Sequence, residues 1–228
     1  MPELPEVETI ARNLKTGNQT TPSIVGMTIT RAQVFWDKTV AETRPPSFQQ
    51  AIQGQTIQSI GRRAKYLVLN LDQDTLLVHL RMSGDLLVGP KEETLADHVR
   101  LSLELDNTWQ LAFNNPRKFG RVWLLENPAE KFDQLGPEPF DPALTGAVLH
   151  QRMQKRKRQI KPLLLDQSFI AGMGNIYTDE ALFLSRIHPL TRADQITSAQ
   201  AEQLLENIRL DCIRMAWLLP WKFLPGIW

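Results

Sequence analysis

Cysteine is almost missing from this chain. Cys212 is the only one in 228 residues, so no intrachain disulfide can form and a cysteine-rich structural zinc site cannot be assembled. The four histidines, His79, His98, His150 and His188, are scattered without the spacing of metal ligands. Long apolar runs are lacking too, and none approaches the roughly 20 residues that cross a bilayer. The N-terminus, Met1-Pro2-Glu3-Leu4-Pro5-Glu6, is acidic and has no basic-then-apolar layout of a secretion signal. The expectation is a cytoplasmic, monomeric protein with no membrane partner. A net charge of only +1 excludes a protein that holds polyanions by bulk charge.

The charge that is present is clustered. Lys155-Arg156-Lys157-Arg158 with Lys161, Arg62-Arg63-x-Lys65 and Arg117-Lys118-x-x-Arg121 are three basic groups in a near-neutral chain. Each alone reads as a solvated face; together they focus positive charge where a phosphate backbone could lie. A hydrophobic content of 42% is that of an ordinary globular protein. Pro5, Glu6 and Glu8 suit the first turn of a helix, and Val7, Ile10, Ala11 and Leu14 give it one buried face, with Gly17-Asn18 ending it. From Gly26 to about Leu125 the period becomes two. Residues 66–71 and 75–80 flank Asp72-Gln73-Asp74 as a hairpin, and Val99 to Leu105, Trp109 to Phe113 and Arg121 to Leu125 read as further strands. Short strands with turns at this spacing suggest a sandwich or barrel. The connector Gly136-Pro137-Glu138-Pro139-Phe140-Asp141-Pro142 breaks the pattern. Helices are expected beyond it at Leu144 to Gln154, Ile160 to Asp166, Asn175 to Arg186 (stopped by His188-Pro189), and from Thr197 or Ser198 onward, burying Leu204, Leu205, Ile208 and Cys212.

Several residues could carry chemistry. With Met1 removed, Pro2 presents a secondary amine. An α-amino group titrates near 7.7–8.0, about two units below lysine, so part of it is an uncharged nucleophile at neutral pH, and it condenses with an aldehyde-like carbon to a Schiff base. Glu3 and Glu6 could divide acid and base roles beside it, although Pro-Glu is also a common start in chains where it does nothing. Lys65 heads a strand, where lysines are ordinarily solvated. Met82 and Phe119 sit in loops, as core residues or as exposed wedges. Gly172 and Gly174 allow close backbone approach ahead of a helix N-terminus at Asn175, whose free N–H groups and cap could bind a phosphate.

Met1-Pro2-Glu3-Leu4-Pro5-Glu6-Val7-Glu8-Thr9-Ile10 resembles the N-terminal signature of the formamidopyrimidine-DNA glycosylases. Lys161 to Gln167 together with Ile170 to Glu180 resembles that family's helix–two-turns–helix motif, and the likeness runs from residue 1 to about residue 210. It implies an α+β fold of two domains: an N-terminal helix plus β-sandwich over 1–135, then a helical helix–two-turns–helix domain over 136–214. It also implies a bifunctional enzyme of base-excision repair. Such an enzyme releases oxidised purines (8-oxoguanine, formamidopyrimidine) from double-stranded DNA and nicks the strand by β,δ-elimination. Pro2 would be the Schiff-base nucleophile, Glu3 the general acid at the deoxyribose ring oxygen, and Glu6 a group that positions or deprotonates near Pro2. Lys65 would reach the phosphate near the lesion, although Ala64 stands where the family usually has glycine. Met82, Arg117 and Phe119 would fill the void left by the flipped base. His98, Arg117, Lys161 and Asn175 would hold DNA.

The likeness ends before the family's zinc hairpin. The segment 215–228 reads as an atypical apolar tail, from a frameshifted or prematurely ended reading of a longer gene. No cofactor is expected, the zinc-finger hairpin being absent. Loss of its phosphate-gripping arginine would remove a charged contact of about 1.5–3 kcal/mol, on the order of tenfold to a hundredfold in binding. The alternatives are a catalytically weak or dead DNA-binding remnant and an endonuclease VIII-like glycosylase for oxidised pyrimidines. Leu4 argues against the latter, whose members usually carry glycine there.

Overall fold

The computed structural model describes residues 1–218. The chain divides into two compact units, one made of Met1–Pro2 and Val7–Asp133, the other of Glu3–Glu6 and the residues from Gln134 onward. Helix α1 (Leu4–Thr16) therefore gives its first turn to the second unit and the rest to the first.

The first unit carries β1 (Ile29–Val34), β2 (Ile57–Arg63), β3 (Tyr66–Leu71), β4 (Thr75–His79), β5 (Asp85–Pro90), β6 (Val99–Leu105), β7 (Trp109–Asn114) and β8 (Arg121–Leu125). They form two antiparallel sheets in the orders β1-β6-β7-β5 and β2-β3-β4-β8. One apolar cluster draws on both: Ile29, Leu103 and Phe113 from the first, Ile57, Leu69 and Leu76 from the second, with Val7, Ile10, Ala11 and Leu14 of α1. Of the sandwich and the barrel that the alternation left open this is the sandwich, and it is the α+β fold that the resemblance implies. In β3 alternate residues are buried, whereas every residue of β4 is. Both are interior strands, and β4 differs in that its second face is covered as well. Its second face also carries His79, part of an aromatic group in which the Tyr66 ring contacts His79, Trp123 and Phe132.

The period of two from Gly26 to Leu125 is not unbroken. Helix α2 (Pro45–Ile52) interrupts it, opened by Pro45 and Pro46 at positions where a missing N–H costs nothing, with Phe48 and Ile52 fully buried one turn apart. The short helix α3 (Ala129–Phe132) closes the first unit.

The second unit packs α4 (Gly146–Gln154), α5 (Ile160–Leu164), α6 (Asn175–Leu184) and α7 (Ser198–Leu218) around one core. Thr145 caps α4 by accepting the Val148 N–H at 3.2 Å, and Leu144 and Leu149 close over that cap as a hydrophobic staple. Thr197 and Gln200 exchange hydrogen bonds of 3.2 and 3.0 Å, a capping box that starts α7. Helix α5 stops at Leu164 rather than Asp166. Helix α6 stops before His188-Pro189: Arg186 turns left-handed (φ 54°) and the Ile187 N–H returns to the Leu182 carbonyl at 3.0 Å. Helix α7 continues through 215–218, so the start of the expected tail is helix. The rest of that tail, 219–228, lies outside the described residues.

The β6–β7 turn offers a direct test. Asp106 is left-handed (φ 49°), its N–H donates to the Thr28 carbonyl at 2.9 Å, and its carboxylate accepts the Thr28 N–H at 2.8 Å. Asp106→Ala removes one of these bonds and places an ordinary residue in a left-handed conformation. It is expected to cost about 1–3 kcal/mol, read as a lower urea midpoint with an unchanged slope.

Candidate active site

In the first unit, topology gathers the basic and apolar loop residues. Strands β4 and β8 are neighbours in one sheet, and β5 and β7 in the other. The β4–β5 and β7–β8 connections both cross between the same two strand pairs, and therefore run side by side. Their bases are the pairs His79↔Arg121 and Asp85↔Asn114. The first crossing is tight because Arg81 is left-handed (φ 55°) and Gly84 sits against the Leu80 carbonyl, where a Cβ would come within 2.5 Å. It carries Met82. The second carries Arg117 and Phe119, with Lys118 between them left-handed (φ 60°) and its ammonium over the Trp36 ring at 4.2 Å. The Arg117 guanidinium reaches the Met82 sulfur at 3.6 Å, and its backbone N–H donates to Ser83 Oγ at 3.4 Å. Met82 and Phe119 are 49% and 55% exposed, the opposite of core packing. His98 is exposed beside Arg100, with 3.5 Å between its Nδ1 and the guanidinium, and its carbonyl accepts the Asn115 N–H.

Lys65 does not head β3. It lies in the two-residue turn between β2 and β3, closed by the pair Arg63↔Tyr66, and it is buried. Ala64 beside it is left-handed (φ 52°), the conformation that favours glycine there. The Lys65 charge is felt by His79, a residue that sequence reasoning passed over. Burial first, then the charges of Arg81 and Lys65, hold the imidazole down to about 3. The neutral ring accepts the Arg81 N–H on Nδ1 at 3.1 Å and so braces the turn that carries Met82.

In the second unit, Glu3 is 2% exposed. Its carboxylate accepts the N–H groups of Gly174 (2.8 Å), Ile176 (3.0 Å) and Tyr177 (3.4 Å) at the start of α6. The N-cap residue is Gly174, which has no side chain to offer. Asn175, expected as the cap, is instead the first helical residue, and it is exposed. The expected use of the helix N-terminus for an external phosphate is corrected accordingly: three of its donors serve an internal carboxylate. The glycines are corrected with it. The groups they admit are the chain's own, since a Cβ on Gly174 would lie 2.3 Å from the Glu3 carboxyl carbon, and one on Gly172 (φ 96°) would lie 2.6 Å from Leu4.

Glu6 accepts the Glu3 N–H at 2.8 Å and the Tyr177 hydroxyl at 2.5 Å. The turn ahead of α6 is stapled by Gln167, which accepts the Gly172 N–H and donates to the Leu165 and Met173 carbonyls. Lys161 is paired with both oxygens of Asp179 at 2.8 and 2.9 Å, one helical turn along α6 from Asn175 and on the same face. Pro2 stands at the head of the arrangement by its peptide bond to Glu3, and Met1 before it is exposed. Gln167 and Tyr177 lay inside a quoted motif but carried no signal of their own, beyond the rule that a buried tyrosine hydroxyl needs a partner. A cysteine-held zinc does not fit these residues. Cys212 is the single cysteine and is buried, and among the described residues no group of three or more histidine, cysteine, aspartate or glutamate side chains could hold a metal. Among them, too, no helix is long and apolar enough to cross a membrane.

A proline-led helix, a two-sheet sandwich with paired crossing loops and a glycine-turned helical unit make an α+β protein of two units. The chain belongs to the formamidopyrimidine-DNA glycosylase family. The family model for the formamidopyrimidine-DNA glycosylase N-terminal domain matches residues 1–122, and that for its H2TH domain matches residues 135–216. The formamidopyrimidine-DNA glycosylase of Chloroflexus aurantiacus is 49% identical over 213 residues, covering 92% of this chain and 74% of that protein. The one from Protochlamydia amoebophila is 41% identical over 210 residues, with the same coverages. Among solved structures, the Lactococcus lactis enzyme non-covalently bound to AP-site-containing DNA superposes with a TM-score of 0.86 at 32% identity, covering 95% of this chain and 82% of that one. The same enzyme in complex with FAPY-dG-containing DNA superposes with a TM-score of 0.84 at 32% identity, covering 94% and 80%.

Two tests follow from this geometry. Gly174→Ala should push the Glu3 carboxylate off the α6 N-terminus; loss of the cap is expected to cost about 1–2 kcal/mol of stability, measured by urea unfolding. His79 is neutral in the fold and titrates near 6.5 when unfolded. Its contribution is therefore complete above about pH 6.5. It is lost at about 1.4 kcal/mol per pH unit as the pH falls toward 3, because the unfolded chain takes up a proton that the folded chain refuses. His79→Gln should flatten that part of the stability–pH curve.

Proposed function

We propose that this chain is a bifunctional DNA glycosylase and abasic-site lyase of base-excision repair, acting on oxidised purines in double-stranded DNA. The observation that carries the reading is the start of α1: Pro2 is bonded to a glutamate held by three N–H groups, with a second glutamate hydrogen-bonded to the peptide between them. Its family membership and the DNA complexes of its Lactococcus lactis relative support the substrate class.

In this reading the Pro2 nitrogen attacks C1′ of the damaged nucleotide. The bond from C1′ to the base breaks, and the base leaves with the electron pair and takes a proton. The Pro2 nitrogen then gives up its own proton, and its lone pair opens the sugar ring to an iminium joining C1′ to Pro2, the ring oxygen taking a proton. Loss of a C2′ proton then expels the 3′-phosphate, and a second elimination expels the 5′-phosphate. Three N–H donors and the positive end of α6 stabilise Glu3 as an anion. We therefore assign it to stabilising the positive charge that develops at C1′ and on the iminium, and acid donation to the ring oxygen requires those contacts to loosen. Met82 and Phe119 enter the space of the extruded base and Arg117 faces its orphaned partner. Lys65, His98, Lys161 and Asn175 contact the phosphate backbone, Lys161 exchanging Asp179 for phosphate. We place the enzyme in the bacterial cytosol, as a monomer.

The test is borohydride trapping on 8-oxoguanine and abasic duplexes, after intact mass has established removal of Met1. A covalent protein–DNA adduct is expected with the native chain and a strong reduction with Pro2→Gly. No adduct from the native chain at saturating DNA overturns the proposal, and preferential release of oxidised pyrimidines overturns the assigned lesion class.

A further inference from the structure

The Tyr177 hydroxyl closes a ring of hydrogen bonds, and the mechanism above gives that hydroxyl no role. Its N–H donates to the Glu3 carboxylate at 3.4 Å and its hydroxyl to Glu6 Oε1 at 2.5 Å, while Glu6 Oε2 accepts the Glu3 N–H at 2.8 Å. One residue thus ties both glutamates together, Glu3 through its backbone and Glu6 through its side chain. The ring is buried, and burial, then the hydrogen bond to Glu6 and its charge, hold the phenol far above its ordinary value. The hydroxyl therefore stays a neutral donor wherever the enzyme works. Packing alone would be served by phenylalanine, so the hydroxyl is accounted for by its partner.

The Glu3 N–H held by Glu6 belongs to the peptide bond that joins Pro2 to Glu3. A carboxylate gripped from one side by a buried hydroxyl and donated to from the other by that N–H fixes the peptide plane. We propose that Tyr177 is a positioning residue for the N-terminal amine: its hydroxyl locks the Glu6 carboxylate onto the Glu3 N–H and so sets the orientation and basicity of Pro2. This rests on the reading of Pro2 as nucleophile. Without the hydroxyl, the Glu6 carboxylate loses the contact that fixes it on one side, and the peptide plane beside the amine is released.

Two readouts on the full chain with Met1 removed test this. The first needs no DNA: reductive methylation of the Pro2 amine by formaldehyde and cyanoborohydride, followed by mass against pH. The second is the single-turnover trapping rate on saturating abasic DNA. For Tyr177→Phe the methylation midpoint is expected to move by about half a unit or more, and trapping to slow by about tenfold to a hundredfold with DNA affinity unchanged. Glu6→Gln should slow trapping similarly, and the double variant should be no slower than the slower single, since the pair acts as a unit. Native trapping rate and native methylation midpoint in folded Tyr177→Phe overturn the proposal, as does a double variant that multiplies the two single effects. If Tyr177→Phe does not fold, difluorotyrosine at 177 keeps ring and hydrogen bond while making the hydroxyl more acidic. A displaced midpoint then supports the proposal and an unchanged one overturns it. A native chain that never traps DNA fails the functional reading alone, because the methylation profile still reports on Tyr177.

Discussion

A helix that begins in a buried place must find partners for its first N–H groups, and α6 begins at a glycine that has no side chain to give. The Glu3 carboxylate supplies what is missing. Much of the second unit is arranged around that single capping interaction. Gly174 must lack a Cβ so that the carboxyl group can approach, and Gly172 must turn left-handed beside Leu4. Gln167 must hold the turn, and Leu4 donates its own N–H to the Gly172 carbonyl. The same contact fixes residue 3 of the chain. A terminus is ordinarily the least ordered part of a domain, and a reactive amine on a frayed end would have no defined geometry. Burying the next residue as a helix cap removes that freedom.

The sandwich solves a different problem with strand order. Met82 and Phe119 are apolar side chains held exposed to water, which a folding chain tends to avoid unless their base is rigid. Here two crossovers share the same pair of strand edges, so Met82 and Arg117 meet although 35 positions separate them. Left-handed residues at Arg81 and Lys118 make the loops tight, and the neutral His79 ring and the Trp36 face brace them. Apolar groups held this way have no core within reach to collapse into.

Much of this was legible in the residues. The face of α1, the hairpin of β3 and β4, the switch from period two to helical spacing and the capping box of α7 all follow local rules that the structure obeys. Where reading failed, local rules had competitors. The stretch from Gly26 to Leu125 reads as period two throughout, yet Pro45-Pro46 opens α2 inside it, because proline is costly inside a helix and costless at its start. Asn175 looked like a cap and is not one, because a carboxylate 172 positions away had already taken the role. Glycines at 172 and 174 advertised a close approach correctly, but not whose.

Reading along the chain was enough to place Pro2 ahead of a helix, two glutamates after it within one turn, and a glycine turn before a second helix. Those are statements about neighbours along the chain, and short-range sterics and hydrogen bonding decide them. Only the tertiary structure decided what the glutamates hold. Glu3 caps α6 and Glu6 meets the Tyr177 hydroxyl because burial obliges every polar group to find a partner, and the partners available are set by which distant segments the core brings together. The opening residues announce two carboxylates; the hydrogen bonds they make with α6 give those groups a fixed geometry.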